Sequence, residues 1–497
     1  MRKHIFIITA LFITGTFGCK KTYLDLENNP NSPSSATPQL LLSGALNNSA
    51  WIISGALTVD YVNYGVWDGY WTTSGNYVPN QAINQYQITN QTFNSDWNDW
   101  YSNLYNYNLI QSESASDPNL ANFQAIAMIM KAYGFQYLVD QYNDVPYTQA
   151  FQPTKILEPA YDKGIDIYHD LGKQLDAAIA LINKNTSAST PGSSDIVFNG
   201  DMSSWKKFAN TLKLRLAIRL STKFPSDPLI TDLASTESEG YLDKNGAQAN
   251  PGYQQILGKQ SPFWGIYGLD VNGNPTFPNT YYRANAFAVN ILKAFNDPRL
   301  TEFYATVPTS GTDPTPIVHG NVFGDTKATL LSNTYTSAIG PGLLKSPSQF
   351  AILLSGAECF FLQAEAANDG FITGNAQALY QSGITASFEQ LGLTDAQAQA
   401  YYSQNIPNVS WTNSPDKEKA IITQKWIALN GLFNFEAWND YRRTGIPALP
   451  SSIDPAAISP TLPTRMLYPI TELQTNAANL AKEGTINPFT SKIFWAQ

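Results

Sequence analysis

Histidine and cysteine are nearly absent from this 497-residue chain, which holds three of the first and two of the second. His4 lies in the N-terminal apolar segment, and His169 and His319 stand far apart in sequence. Two lone, distant imidazoles are poor material for a zinc site or a histidine-based triad. The short motifs of metalloproteases, serine hydrolases, dinucleotide binders and P-loop enzymes are missing as well. Charge is also scarce. Charged residues make up 14% of the chain, against about 25% in an average soluble protein. Asn, Gln, Ser and Thr must therefore supply much of the polar surface, which suits a neutral, hydrogen-bonding partner. The net charge is −9, and no Lys/Arg-rich run follows residue 21. A nucleic-acid partner is excluded on that ground, because a phosphate-backbone binder needs a basic face. Long apolar runs are missing too, so no segment beyond the N-terminus has the roughly 18 consecutive apolar residues of a membrane span.

What the chain does have is core material. Hydrophobic residues make up 43% of it and aromatics 13%, with 11 Trp, 27 Tyr and 25 Phe. Disorder is ruled out as its general state. The N-terminus reads as a sorting signal. Arg2 and Lys3 precede an apolar stretch from Ile5 to Phe17, which ends in Thr16-Phe17-Gly18-Cys19. A small residue directly before Cys resembles the lipobox of a bacterial lipoprotein, with Thr16 standing where Leu is usual. This predicts a signal peptide over 1–18, lipidation of Cys19, and a membrane attachment made by lipid alone. Cys359 then has no disulfide partner, and its apolar surroundings predict a buried helical residue. Residues 19–38 read as a tether rich in Asn, Pro and Ser, and 39–497 as a single folded domain.

Apolar spacing of three and four residues predicts helices at 93–113, 125–139, 161–182 and 205–220, with others at 283–296, 347–369, 374–389, 394–404, 415–430 and 433–443. Thr37 is expected as an N-cap, with Pro38 in the first helical position. Adjacent helix pairs with short links are the raw material of tetratricopeptide-like hairpins. The expected fold class is mainly α, with such hairpins beside an irregular, loop-rich half. Residues 58–92, 247–282 and 305–346 break the helical pattern, and loops of this length are usually functional or disordered. Two of them concentrate aromatics beside amides and a carboxylate. From these we single out Trp67, Asp68, Tyr70, Trp71, Trp264 and Tyr267 as ligand-binding candidates, because flat rings stack on sugars while adjacent polar groups bond hydroxyls. Asp270-Val271-Asn272-Gly273-Asn274 starts like a calcium loop but has Tyr282 near the place of the bidentate Glu, so it reads as a tight turn. No catalytic residue, metal ligand or cofactor is assigned. A carboxylate pair for glycoside hydrolysis leaves no short motif, so among 39 acidic residues the sequence does not single one out.

An ordered series of motifs resembles the SusD/RagB family of nutrient-binding outer-membrane lipoproteins. It starts with Asn29-Pro30-Asn31-Ser32-Pro33 before a Leu-rich helix. Asn143-Asp144-Val145-Pro146-Tyr147 follows, with Asn143 in place of the usual Gly. Trp205 to Leu220, Asp297-Pro298-Arg299, Ala364-Glu365-Ala366, Gln424 to Leu429, Phe435 to Gly445 and Arg465 to Pro469 complete it. Most of these read as scaffold: Asp144 to Tyr147 as a turn leaving a helix, and Arg215, Arg219, Glu436 and Arg442 as internal ion pairs. The resemblance implies a lid on a TonB-dependent outer-membrane barrel, one that captures a glycan or peptide and passes it on. The hairpins would meet the barrel. Surface-displayed members often carry acidic residues after the lipidated Cys, whereas Lys20 and Lys21 stand there in this chain. The alternatives are a purely structural lid that never touches ligand, or a surface glycan hydrolase.

Overall fold

The computed structural model describes residues 37–55, 61–152 and 154–497. The expected signal peptide, the expected lipidation site Cys19 and the expected tether as far as residue 36 lie outside the described residues. Helix α1 (Pro38–Ile53) begins where expected, with Thr37 extended and Pro38 at the first helical position. The Thr37 side chain makes no capping bond, so the start rests on backbone geometry and on proline alone.

Eleven helices of eight residues or more occur among the described residues. After α1 come α2 (Asn94–Ser114), α3 (Ala121–Tyr142), α4 (Gly164–Lys184), α5 (Met202–Ser221) and α6 (Ala286–Ala294). Then follow α7 (Gly356–Asn368), α8 (Ala376–Leu391), α9 (Asp395–Tyr402), α10 (Lys417–Leu429) and α11 (Asn434–Thr444). Consecutive helices pack as hairpins: α2 on α3, α4 on α5, α7 on α8, α10 on α11. Helix α3 is apolar on almost every face because α1, α2, α4 and α5 all pack on it. At Gly134 it approaches α2 so closely that a Cβ would stand 2.9 Å from both Leu104 and the Trp100 ring. Side-chain caps set many of the starts. Asp201, Asn375 and Asp416 each accept a first-turn N–H, and Thr394 with Gln397 forms a capping box.

Strands are few and short. Strand β1 (Trp71–Thr73) pairs antiparallel with β3 (Tyr282–Ala284), Trp71 opposite Ala284. Strand β2 (Ala247–Ala249) pairs with β6 (Ala351–Leu354), and β4 (Val307–Pro308) with β5 (Pro316–Ile317). Strand β6 corrects the helix expected over 347–369. Its four residues Ala-Ile-Leu-Leu form an apolar run that period alone cannot assign, and Ser355 caps the helix only afterwards.

The main core runs from Leu42 to Ala496, and a smaller cluster around Phe361, Tyr380, Phe388 and Tyr401 lies within α7 to α10. A buried ionic network joins four helices, α5, α7, α10 and α11. Arg215 reaches Glu358 at 3.1 Å and Glu436 at 3.5 Å, Arg219 bonds Glu436, and Lys425 meets Asp440 at 2.8 Å. Arg442 departs from the expected ion pairing. It donates to the carbonyls of Asp140 and Thr464, and its guanidinium lies 3.5 Å from the Trp438 ring centroid. Arg299 of the Asp-Pro-Arg turn is wholly buried, bonded to Asp297, Ser387 and Gln424, and so ties the turn to α8 and α10. Cys359 is a free, buried helical thiol as expected, its pKa pushed up by burial.

Candidate functional site

Every residue from Tyr61 to Ser74 is buried. Trp67, Asp68, Tyr70 and Trp71, singled out from the sequence as ligand-binding candidates, all lie in this buried stretch. The segment folds as a short helix, Val62–Trp67, followed by β1, and its rings fill the core. Trp67 packs against Tyr64 and Trp438 at centroid distances of 5.9 and 6.2 Å. Tyr70 stacks on Trp426 and donates to its carbonyl at 2.5 Å. Asp68 has no hydrogen-bond partner on either carboxylate oxygen, and burial pushes its pKa well up, against the pull of Arg442. Tyr267 is buried too, 5.1 Å from Trp71. These two rings face a crevice of about 20 Å³, which holds about one water and no sugar.

Trp264 is different. It sits half-buried on the short helix Pro262–Tyr267 and lines an open cavity of about 610 Å³. The other walls come from Gly268 and Leu269, from Asn279, from residues 301–306 and from residues 339–344. The backbone fixes this geometry. Gly340 donates to the Phe303 carbonyl at 2.7 Å, and Gly342 to that of Glu302 at 3.0 Å, which clamps the two loops together. The Trp264 ring lies over Gly268, where a Cβ would stand 3.0 Å from ring atom Cδ2. The polar lining is Asn279, Thr301, Glu302 and Thr306, with Glu302 the one carboxylate among the described residues that line it. A flat ring, amide and hydroxyl groups and a single acid form a surface for a hydroxylated ligand.

The cavity is bounded by a five-residue helix, Phe277–Tyr281, which is held from two sides. Thr276 donates to the Ile266 carbonyl at 2.5 Å, and Asn279 Nδ2 to that of Tyr267 at 2.7 Å. On the far side the Tyr77 hydroxyl donates to Thr280 Oγ1 at 2.9 Å, and Ser74 N–H to the Tyr281 carbonyl at 2.9 Å. Tyr77, Phe277 and Tyr281 form a three-ring cluster with centroids 5.2 to 5.6 Å apart. Sequence reasoning marked the two stretches that build it but chose other rings. The available signal was Pro278 and Thr276, turn and cap residues that bring Phe277 to the surface.

A second cavity, about 640 Å³, lies between α4 and residues 228–232, lined by His169, Lys173, Asp176 and Asp232. It is lined by no Phe, Tyr or Trp, and both of its carboxylates are paired. Buried Lys213 meets Asp176 and Asp232 at 2.7 Å each, and His169 meets Asp227 at 3.0 Å. His319 is exposed. Asp270 closes a tight turn, accepting from the N–H groups of Asn272 and Asn274. Among the described residues no group of three His, Cys, Asp or Glu is placed to hold a metal ion, and no helix is long and apolar enough to cross a membrane.

Comparison with known proteins adds a family. The profile of the SusD-like family, described as starch-binding and associating with the outer membrane, matches residues 30–469. Among solved structures, a chitin-binding protein is 25% identical with a TM-score of 0.74, over 93% of this chain and 100% of its own. A chitin-binding SusD homolog from Flavobacterium johnsoniae is 25% identical with a TM-score of 0.72, over 91% of this chain and 98% of its own. A SusD homolog from Bacteroides uniformis shares the fold at 24% identity and a TM-score of 0.73, over 92% and 99%. No curated protein matches the sequence.

Proposed function

The chain belongs to the SusD-like family, and from that premise we propose that it is a lipid-anchored outer-membrane protein that captures a neutral glycan and delivers it to a TonB-dependent barrel. In this reading residues 1–18 are removed, Cys19 carries the lipid, and the residues between Cys19 and helix α1 tether the body to the membrane at the cell surface. The helix hairpins meet the barrel and the loop-rich half meets the ligand. The observation that carries the ligand-binding role is the Trp264 cavity, a half-exposed indole over an open, weakly charged space.

The reading is of binding without turnover, and the same lining supports it. Glycoside hydrolysis by the usual route needs two carboxyl groups about 5 to 10 Å apart, and the described cavity wall offers Glu302 alone. Two of the similar solved structures are chitin-binding proteins, so β-1,4-linked N-acetylglucosamine oligomers are the first ligands to try, with maltose oligomers and peptides beside them.

The test is calorimetry on the full-length chain in detergent, with Trp264→Ala as the site variant. Oligosaccharide binding that falls about tenfold or more in a variant of unchanged thermal midpoint supports the reading. Equal binding by parent and variant would remove Trp264 from the site. Unchanged nutrient uptake in cells carrying Trp264→Ala, with uptake lost on deleting the chain, would favour a structural lid. Near-stoichiometric co-purification of a TonB-dependent barrel from the native outer membrane tests the delivery role.

A further inference from the structure

We infer that Glu302 makes the cavity selective for ligand charge: it prefers a glycan whose unit in the cavity carries a free amine over the N-acetylated unit, and it rejects acidic units. The inference rests on the glycan reading above and deepens it, from a glycan in general to the charge of the unit that the cavity holds.

The charges around the cavity are one-sided. Among the described residues its wall holds one carboxylate, Glu302, and no Lys, Arg or His. Glu302 is half-buried, and its carboxylate makes no ion pair and accepts no hydrogen bond among the described residues. The backbone fixes its place. Glu302 stands in the short helix Leu300–Phe303, its N–H donating to the Arg299 carbonyl at 3.0 Å and its carbonyl accepting the Gly342 N–H at 3.0 Å. A Cβ on Gly342 would stand 2.8 Å from Glu302 Cβ, so the 339–344 loop packs against the stem of this side chain.

The neighbouring cations are engaged elsewhere. Arg299 is buried and bonded to Asp297, Ser387 and Gln424. Lys345, one residue beyond the wall, donates to the Gln390 carbonyl. Arg283 is buried, with its Nη1 on the carbonyls of Asn279 and Tyr282. Asp270, next to Leu269 of the wall, adds negative charge nearby while closing its own turn.

A carboxylate with no counter-charge in a partly enclosed space projects its field into that space, and low-dielectric walls focus it. An acidic sugar there meets like charge. An N-acetylated unit offers Glu302 one neutral amide N–H. An ammonium offers three donors and the opposite charge, and a charge-assisted hydrogen bond is roughly twice as strong as a neutral one. Trp264 acts in the same direction, because the face of an indole attracts a cation. Asn279, Thr301 and Thr306 remain for the hydroxyls of the same unit. An open ion pair is worth up to about fivefold in affinity, and charge-assisted bonding beside the ring adds to it, so a preference of about three- to tenfold is expected.

The test is calorimetry on the full-length chain in detergent, at a mildly acidic pH that keeps the sugar amine protonated. The probes are N-acetylglucosamine oligomers, glucosamine oligomers of the same length, a uronic acid oligomer and a trilysine peptide. The parent should bind the glucosamine oligomer about three- to tenfold more tightly than the N-acetylated one, and the uronic acid oligomer more weakly than either. In Glu302→Gln, with its fold verified by circular dichroism and thermal midpoint, the ratio of the first two affinities should fall to about one. Salt gives a second reading that needs no variant: the ratio in the parent should shrink as ionic strength rises severalfold. A parent that binds the N-acetylated oligomer as tightly as the amine form, or the uronic acid oligomer as tightly as the N-acetylated one, would overturn the inference and leave the glycan reading standing. A preference that survives in folded Glu302→Gln, or that salt does not weaken, would overturn it too, since the amine would then be held by another group. Trilysine bound as tightly as the glucosamine oligomer would also overturn it, because the cavity would then select charge without sugar. If neither sugar series bound the parent, the inference would fall together with the glycan reading.

Discussion

Arg443 and Glu365 meet end to end inside the protein, Nη1 to Oε1 at 2.6 Å and Nη2 to Oε2 at 3.0 Å, with neither side chain more than 2% exposed. The pair joins α11 to α7, and through Asp440, 3.3 Å from Arg443, it enters the wider network. A buried ion pair is weak evidence of net stabilisation, but breaking one strands a charge in a dry interior. Glu365→Ala should therefore lower the unfolding free energy by about 3 to 5 kcal/mol, read by urea denaturation. The double variant Arg443→Met, Glu365→Leu should recover part of that loss, since no charge is then left alone. A double variant no more stable than Glu365→Ala would contradict this account.

Asp440 gives the network a pH signature. Burial pushes its carboxyl up, but Lys425, then Arg443 and Arg219, outweigh burial and bring the pKa down to about 2. A carboxylate lowered in the folded state stabilises fully above its unfolded pKa of about 4, and that contribution is lost as pH falls through about 2. The stability gap between parent and Asp440→Asn should narrow on the order of 2 kcal/mol from pH 5 to pH 2. Denaturant titrations of both proteins across that range measure it. A constant gap would mean that the network does not depress Asp440.

Asn143 explains the departure from glycine in its motif. Its φ is +76°, a region that favours glycine, and its side chain makes two bonds a glycine could not. Oδ1 accepts the Phe494 N–H at 2.6 Å, and Nδ2 donates to Asp144 at 2.8 Å. The turn thus anchors the C-terminal segment that buries Trp495. Asn143→Gly relieves the backbone and loses only the bonds, which should cost about 1 kcal/mol. Asn143→Ala keeps the strain and loses them too, at about 2 to 4 kcal/mol. Thermal midpoints ordered parent, Gly, Ala would bear this out, and Ala above Gly would refute it.

The helices were legible because apolar residues recur at three and four positions, and boundaries such as 93–113 against Asn94–Ser114 differ by single residues. Strand β6 was not legible, since four apolar residues carry no period. The side chains of the proposed site were hardest to read. Aromatic density marks a place where rings gather, but the same composition serves a core or a surface. Tyr61 to Trp71 went inward because the segment alternates a helical turn with a strand between α11 and β3. Pro262 to Tyr267 lies at a loop rim, which leaves Trp264 half-open. That difference is set by partners more than 200 residues away, which no local pattern contains.

Gly268 offers a way to move the Trp264 ring without removing it. A methyl at this position would stand 2.8 Å from the Trp264 carbonyl oxygen and 3.0 Å from its ring. The carbonyl is held in place because it accepts the Gly268 N–H at 2.8 Å. The tighter contact is with that carbonyl, so an alanine must open this turn, which carries the ring with it, at an overpacking cost of about 1 to 3 kcal/mol. Gly268→Ala should keep the fold and lose about tenfold in oligosaccharide affinity by calorimetry. Added to Trp264→Ala it should lose almost nothing more, because neighbouring substitutions that act through one ring do not add. Independent, additive losses would show that the cavity floor contacts the ligand by itself, and Trp264 would then be one contact among several and not the centre of the site.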